Sequence, residues 1–169
     1  PSSNPLWFIP GAPRGDLTYN DSDQDIKTAA IFGSMEFRVT DQITLIGGAR
    51  YTDSKRDFEG CTNDYEGPST TNTWWNAIFG TSVPNGGCIT LDATLQPFVP
   101  AVFDELDEDN LSWNLGINYA LPSDGLLYGR VSKGYKAGSF PTASVASYTG
   151  YQPVTQESVL AYELGVKVP

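Results

Sequence analysis

The chain has 169 residues, 20 Asp and Glu against 10 Lys and Arg, a formal net charge of −10, and no histidine. An acidic balance excludes a nucleic-acid partner, whose phosphates need a basic face. Without histidine there is no Ser-His-Asp or Cys-His dyad and no His-ligated zinc, and two cysteines cannot build a four-thiolate site, so no enzyme is expected. Charged residues at 18% and aromatics at 12% lean toward an extracellular or membrane-embedded β protein.

No run of about 18 apolar residues exists, so a transmembrane helix is excluded. A transmembrane strand needs only about 9–11 residues and leaves a much weaker hydropathy signal. The chain opens Pro-Ser-Ser-Asn without a visible signal peptide and stops directly after a strand-like run, so a segment of a longer protein is expected.

Residues 1–26 read as loop. Within them Asp21, Asp23 and Asp25 resemble the start of a calcium loop, but Ile26 replaces the turn glycine and Phe32 stands where a bidentate Glu belongs. A solvated charge run is the preferred reading there and at residues 104–109. A loosely held calcium ion at these acidic loops is the alternative, and no other cofactor or metal is expected.

Residues 27–58 read as a hairpin with side chains alternating at period two. Ala29, Ile31, Met35, Phe37 and Val39 share one face, and Thr28, Ser34, Glu36 and Arg38 share the other. After the polar turn at residues 40–42, Ile43, Leu45, Ala49 and Tyr51 alternate with Thr44, Gly48, Arg50 and Thr52.

Residues 59–108 form a long loop, read as extracellular. It holds both cysteines. In an oxidising compartment Cys61 and Cys88 are expected to pair, the alternatives being a redox couple or two free thiols. Trp74 and Trp75, near Phe79, offer an aromatic platform for a ligand, or the small core that a long disulfide-bonded loop needs. The second reading is preferred.

Residues 109–137 give the clearest alternation. Leu111, Trp113, Leu115, Ile117, Tyr119 and Leu121 interleave with Ser112, Asn114, Gly116, Asn118 and Ala120. A Pro122-Ser123-Asp124-Gly125 turn leads to Leu127, Gly129 and Val131. Lys133 then falls on the apolar parity. Either a bulge near Gly134 flips the register, or Lys133 snorkels to the interface. Residues 138–158 read as loop and 159–169 as a fifth strand.

Two features decide between a wet-faced soluble sheet and a membrane wall. Short turns alternate with long loops, the layout of outer-membrane barrels. Charge is also segregated: no Lys or Arg lies between Arg56 and Arg130, a stretch with 11 acidic residues. Arg38, Arg50, Arg56, Arg130, Lys136 and Lys167 all lie on the polar parity, as a polar lumen would place them. Arg50, Arg130 and Lys136 are thus candidates to guide an anionic ligand, with structural pairing to Glu36 or Glu163 preferred.

The string from Leu126 to Phe140, LLYGRVSKGYKAGSF, resembles a strand and loop start of TonB-dependent receptors. Tyr151-Gln152-Pro153 followed by Tyr162-Glu163-Leu164-Gly165-Val166-Lys167 is similar to that family's next strand. The Trp113–Tyr119 and Ile43–Thr52 strings also look like family strands. The resemblance covers about residues 27–58 and 109–168. It implies an all-β fold: an antiparallel meander of about five strands, part of a large transmembrane barrel of the 22-stranded, plugged-lumen type, the plug domain itself not being visible in this sequence. It further implies a receptor in the bacterial outer membrane, in contact with lipid. Its ligand would be a scarce small molecule such as a ferric siderophore, vitamin or glycan. The TonB complex would engage through parts absent here. The alternative is a soluble secreted β-sandwich that recognises a glycan or protein.

Overall fold

A computed structural model of the chain describes residues 18–64, 71–97 and 101–168. Most of the expected 1–26 loop, and positions 65–70 and 98–100 of the long loop, lie outside the described residues. Five strands form one antiparallel meander: β1 (Thr18–Arg38), β2 (Ile43–Asp64), β3 (Val102–Ala120), β4 (Leu126–Lys136) and β5 (Glu157–Lys167). They lie in one sheet in the order β1-β2-β3-β4-β5. A sandwich would need a second sheet, and the described residues contain none.

The two tight turns are set by local chemistry. Thr40 Oγ1 accepts the N–H groups of Gln42 and Ile43 at 3.2 and 3.0 Å. Leu121 N–H reaches Gly125 O at 2.8 Å, and Asp124 takes φ +60°, a left-handed conformation that Asp tolerates better than most residues. A Cβ on Gly125 would stand 3.0 Å from Lys167 O, so glycine allows the turn to approach β5.

Register converts the alternation into two faces. One face carries the rows Trp113–Lys133–Leu160, Leu115–Val131–Tyr162, Ile117–Gly129–Leu164 and Tyr119–Leu127–Val166. The other carries Asn114–Ser132–Ala161, Gly116–Arg130–Glu163, Asn118–Tyr128–Gly165 and Ala120–Leu126–Lys167. The apolar face is bare: Ile31, Leu115, Tyr162 and Leu164 expose 74%, 60%, 74% and 81% of their area. Such a surface is far outside what a monomer in water shows, and it requires another apolar phase.

The ladders run further than the alternation predicts. β1 begins at Thr18, inside the expected 1–26 loop; β2 continues to Asp64, and β3 starts at Val102. At 19 to 22 residues, β1 to β3 are about twice the length that crosses a membrane. Hydrophobic alternation reports only the stretch with one dry face, so the polar extensions leave no such signal. The acidic residues at 21–25 and 104–109 consequently lie in extended strands rather than in loops. No bulge near Gly134 interrupts the ladder between β4 and β5, which pairs continuously from Leu126↔Lys167 to Lys136↔Glu157.

By contact density the chain falls into two compact units. One comprises residues 1–25, 56–105 and 140–154; the other comprises 26–55, 106–139 and 155–169. With the bare face against lipid, Leu115→Arg is expected to cost about 2–4 kcal/mol and to reduce the assembled form in a membrane, whereas Asn114→Arg on the opposite face is tolerated. Equal effects of the two substitutions would contradict the face assignment.

Candidate functional site

The first unit is built from the long loops and the strand ends that carry them. Cys61, at the end of β2, is joined to Cys88 with their Cα atoms 5.8 Å apart. The bond closes a separation of 27 residues and holds the returning chain against β2. Ile89 N–H donates to Thr62 O and Asp64 N–H to Gly87 O, both at 2.9 Å. Between these points runs helix α1 (Thr71–Phe79). Its Trp75 is 7% exposed and packs with Val83, Ile89 and Leu91, while Phe79 leans on the indole at 4.8 Å. Trp75 therefore serves as loop core, and Trp74 is half-buried beside it.

Asn76 finishes the helix. Its amide donates to Val83 O at 2.9 Å and accepts from Thr81 Oγ1 and Val83 N–H at 2.8 and 2.7 Å. Gly80 at φ +66° permits the reversal. Next comes a small turn around Asp92, whose Oδ1 accepts from Thr94 N–H, Thr94 Oγ1 and Gln96 N–H at 2.7, 2.7 and 2.9 Å. The Gln96 backbone bond, followed by the Thr94 bonds, holds the Asp92 carboxyl below its usual range.

The second long loop is fastened to the same unit by a second core. Phe58 and Phe140 stack at 4.6 Å, and Tyr151 tilts against Phe58 at 5.4 Å. The Tyr151 hydroxyl lies 3.2 Å from Thr62 Oγ1 and donates to Asn20 Oδ1. Thr62 Oγ1 also accepts Val145 N–H at 2.8 Å, while Leu91 exchanges backbone bonds with Ala146 and Tyr148 at 3.0 and 2.9 Å. Sequence reasoning missed this cluster because Phe58, Phe140 and Tyr151 lie in three separate segments with no shared period. What stays exposed on the unit includes Ile78, Leu95 and Phe103.

The second unit holds the basic candidates on its polar face. Arg50 donates to Thr52 Oγ1 at 3.1 Å and places its guanidinium 5.9 Å from the Phe32 ring. It lines a cavity of about 460 Å³ with Phe32, Ser34, Ser112 and Asn114. Arg130 lies elsewhere, in a recess of about 130 Å³ with Asn118, Tyr128, Glu163 and Lys167. There Tyr128 donates to Glu163 Oε1 at 2.9 Å, and Arg130 and Lys167 sit 5.8 and 5.7 Å from its ring. Gly165 makes room for that ring, since a Cβ would come within 2.4 Å of it. Lys136 pairs with Glu157 at 3.7 Å in an exposed bridge worth about 0–1 kcal/mol. Arg50, Arg130 and Lys136 thus do not share one pocket.

In the same unit, the carboxylate of Glu108 on β3 ties both ends of the second long loop. It accepts Gly138 N–H at 2.8 Å and Gln156 N–H at its other oxygen.

Replacing both Cys61 and Cys88 by Ser is expected to lower the loop unit's stability by about 3 kcal/mol, read as faster limited proteolysis between residues 65 and 100. Unchanged cleavage would show that the two small cores suffice. Asp92, with its pKa lowered, contributes stability that is complete above the ordinary Asp value and lost as pH falls through the folded one. Acidification is therefore expected to lower the protection factors of the Thr94 and Gln96 amides, taken after correction for the intrinsic pH dependence of exchange, and Asp92→Asn to remove most of that change. A pH dependence unaltered by Asp92→Asn would place its origin elsewhere.

Three comparisons bear on identity. Among curated proteins no sequence matches the chain. Among solved structures, the ferric yersiniabactin uptake receptor FyuA from Yersinia pestis superposes with a TM-score of 0.62 at 18% identity. The match covers 91% of this chain but 19% of that one, so this chain spans about a fifth of the receptor it resembles. At that identity the likeness concerns fold. The family model described as TonB dependent receptor-like, beta-barrel, matches residues 3–169. With the meander, its register and its bare apolar face, that match over nearly the whole length places the chain in the TonB-dependent receptor β-barrel family, a family of receptors and not of enzymes.

Proposed function

We propose that this chain forms part of the wall and the outer loops of a bacterial outer-membrane receptor that imports a scarce small ligand with energy from the inner membrane. One observation carries the reading. The rows of Leu115, Ile117, Tyr162 and Leu164 expose an apolar face, while Arg130, Glu163, Tyr128 and Asn118 occupy the opposite face. A wall between lipid and a polar lumen has this division. The family membership and the likeness to a ferric siderophore uptake receptor support it.

The ligand class that best suits the chain is an anionic chelate such as a ferric siderophore, ahead of a vitamin or glycan. Arg50 supports this: among the described residues no carboxylate pairs with it, and it lines the larger of the two cavities that hold these basic residues. Arg130 and Lys136 already have Glu163 and Tyr128, or Glu157, beside them. Exposed apolar groups of the loop unit, with half-buried Trp74, would make first contact. Coupling to the TonB complex would run through parts of the receptor outside this chain. The protein performs no covalent chemistry on its ligand.

Cells that rely on the full receptor should bind a ferric siderophore at the surface at all times and internalise it only when the inner membrane is energised. Uptake that persists after a protonophore would overturn the reading in favour of a passive channel. Arg50→Ala is expected to weaken binding about fivefold or more, and Arg130→Ala to leave it nearly unchanged. The reverse order would move the anion path to the other recess.

A further inference from the structure

On the apolar face of β3 to β5, one position breaks the pattern. Lys133 lies between Trp113 on β3 and Leu160 on β5, with Val131 and Tyr135 as its same-face neighbours on β4. It is the one charged residue in those paired rows, and its pairing with Trp113 and with Leu160, inside an unbroken β4–β5 register, keeps it on this face. Among the described residues no carboxylate pairs with it. Its amine instead stands 5.1 Å from the centroid of the Tyr135 ring. Tyr135 is the next same-face residue toward the long-loop end of β4, so the aliphatic stem follows the apolar wall and the charge is carried toward the interface.

Beside this cation lies a groove. A trough of about 450 Å³ on the same face is lined by Gly33, Met35, Gly47, Ala49, Trp113 and Leu115. A Cβ at Gly33 would meet nothing within 4 Å, and one at Gly47 would meet Leu115 Cδ2 at 3.5 Å. Trp113 belongs to both features: it walls the trough and is the cross-strand neighbour of Lys133. A cation on a lipid-facing wall is costly unless an anion meets it. The anion of that surroundings is a lipid phosphate, and the trough offers room for the chain attached to it.

We propose that Lys133, with Tyr135 and Trp113, binds the phosphate headgroup of a lipid in the extracellular leaflet, one of whose acyl chains lies along the Gly33–Gly47–Ala49 trough. The site rests on the barrel reading above. Lys133 gives charge, Tyr135 orients the ammonium from the side away from the lipid tail, and Trp113 separates headgroup from chain.

The test uses the full receptor in mild detergent, with native mass spectrometry counting bound phosphatidylglycerol and diacylglycerol. Heat-modifiable mobility is recorded for every variant. Wild-type receptor is expected to retain phosphatidylglycerol over diacylglycerol. Lys133→Met should lower retention about fivefold, and Lys133→Arg should preserve it. Millimolar inorganic phosphate should not displace the lipid. An assembled Lys133→Met receptor that retains lipid like wild type overturns the site and leaves the barrel intact. Displacement by inorganic phosphate overturns the lipid as occupant. A receptor dimer that dissociates on Lys133→Met would assign the face to a second copy instead. Wild-type receptor that never shows heat-modifiable assembly would overturn the barrel reading, and the site with it.

Discussion

Everything here depends on one constraint: side chains along a strand alternate between two faces, and among the described residues no protein layer covers the apolar one. In water, rows such as Leu115–Val131–Tyr162 and Ile117–Gly129–Leu164 would have to be covered by helices or by a second sheet. In lipid they need no cover, provided every backbone N–H and C=O finds a partner. The meander satisfies that demand internally between neighbouring strands, and the outer edges of β1 and β5 require further strands to do the same. The fold is thus legible as part of a closed wall and makes no physical sense as an isolated module.

The loops answer a different problem. A segment of nearly forty residues between β2 and β3 is ordered at high entropic cost unless something ties it. The disulfide supplies one tie, and the Trp75 cluster a second. The second long loop is drawn in by the Phe58–Phe140–Tyr151 stack and the Thr62 hydroxyl. Its two ends are meanwhile held together by Glu108. The result is that exposed residues such as Ile78 and Phe103 stand on an ordered base, which under the proposed function would lower the entropy lost on capture.

What the sequence reveals follows where physical period exists. The alternation at 43–52 and 111–121 is visible because one face is apolar and the other polar. The strand segments at 18–26, 59–64 and 102–108 are invisible because their few apolar residues follow no sustained alternation, and acidic residues in those stretches read as loop. The two cysteines were sufficient to expect the bond, since no other thiol competes. Helix α1 was not legible: nine residues, with Trp75 and Phe79 one turn apart, are too few to display a period. Parity puts Arg50, Arg130 and Lys136 on the polar face and Lys133 on the apolar one, but it cannot tell Arg50, which lines a cavity, from Lys136, which meets Glu157 across the strand pair.

The most direct test of the central claim is a residue-by-residue probe of β3. In the full receptor reconstituted in a bilayer, single cysteines from position 111 to 120 carry a nitroxide label, the native pair being joined to each other. Accessibility to oxygen and to a water-soluble nickel chelate is then measured at each site. Alternation of period two is expected, with 111, 113, 115, 117 and 119 favouring oxygen and the even positions favouring nickel. Water-soluble access on both faces, or a period near 3.6, would contradict the account.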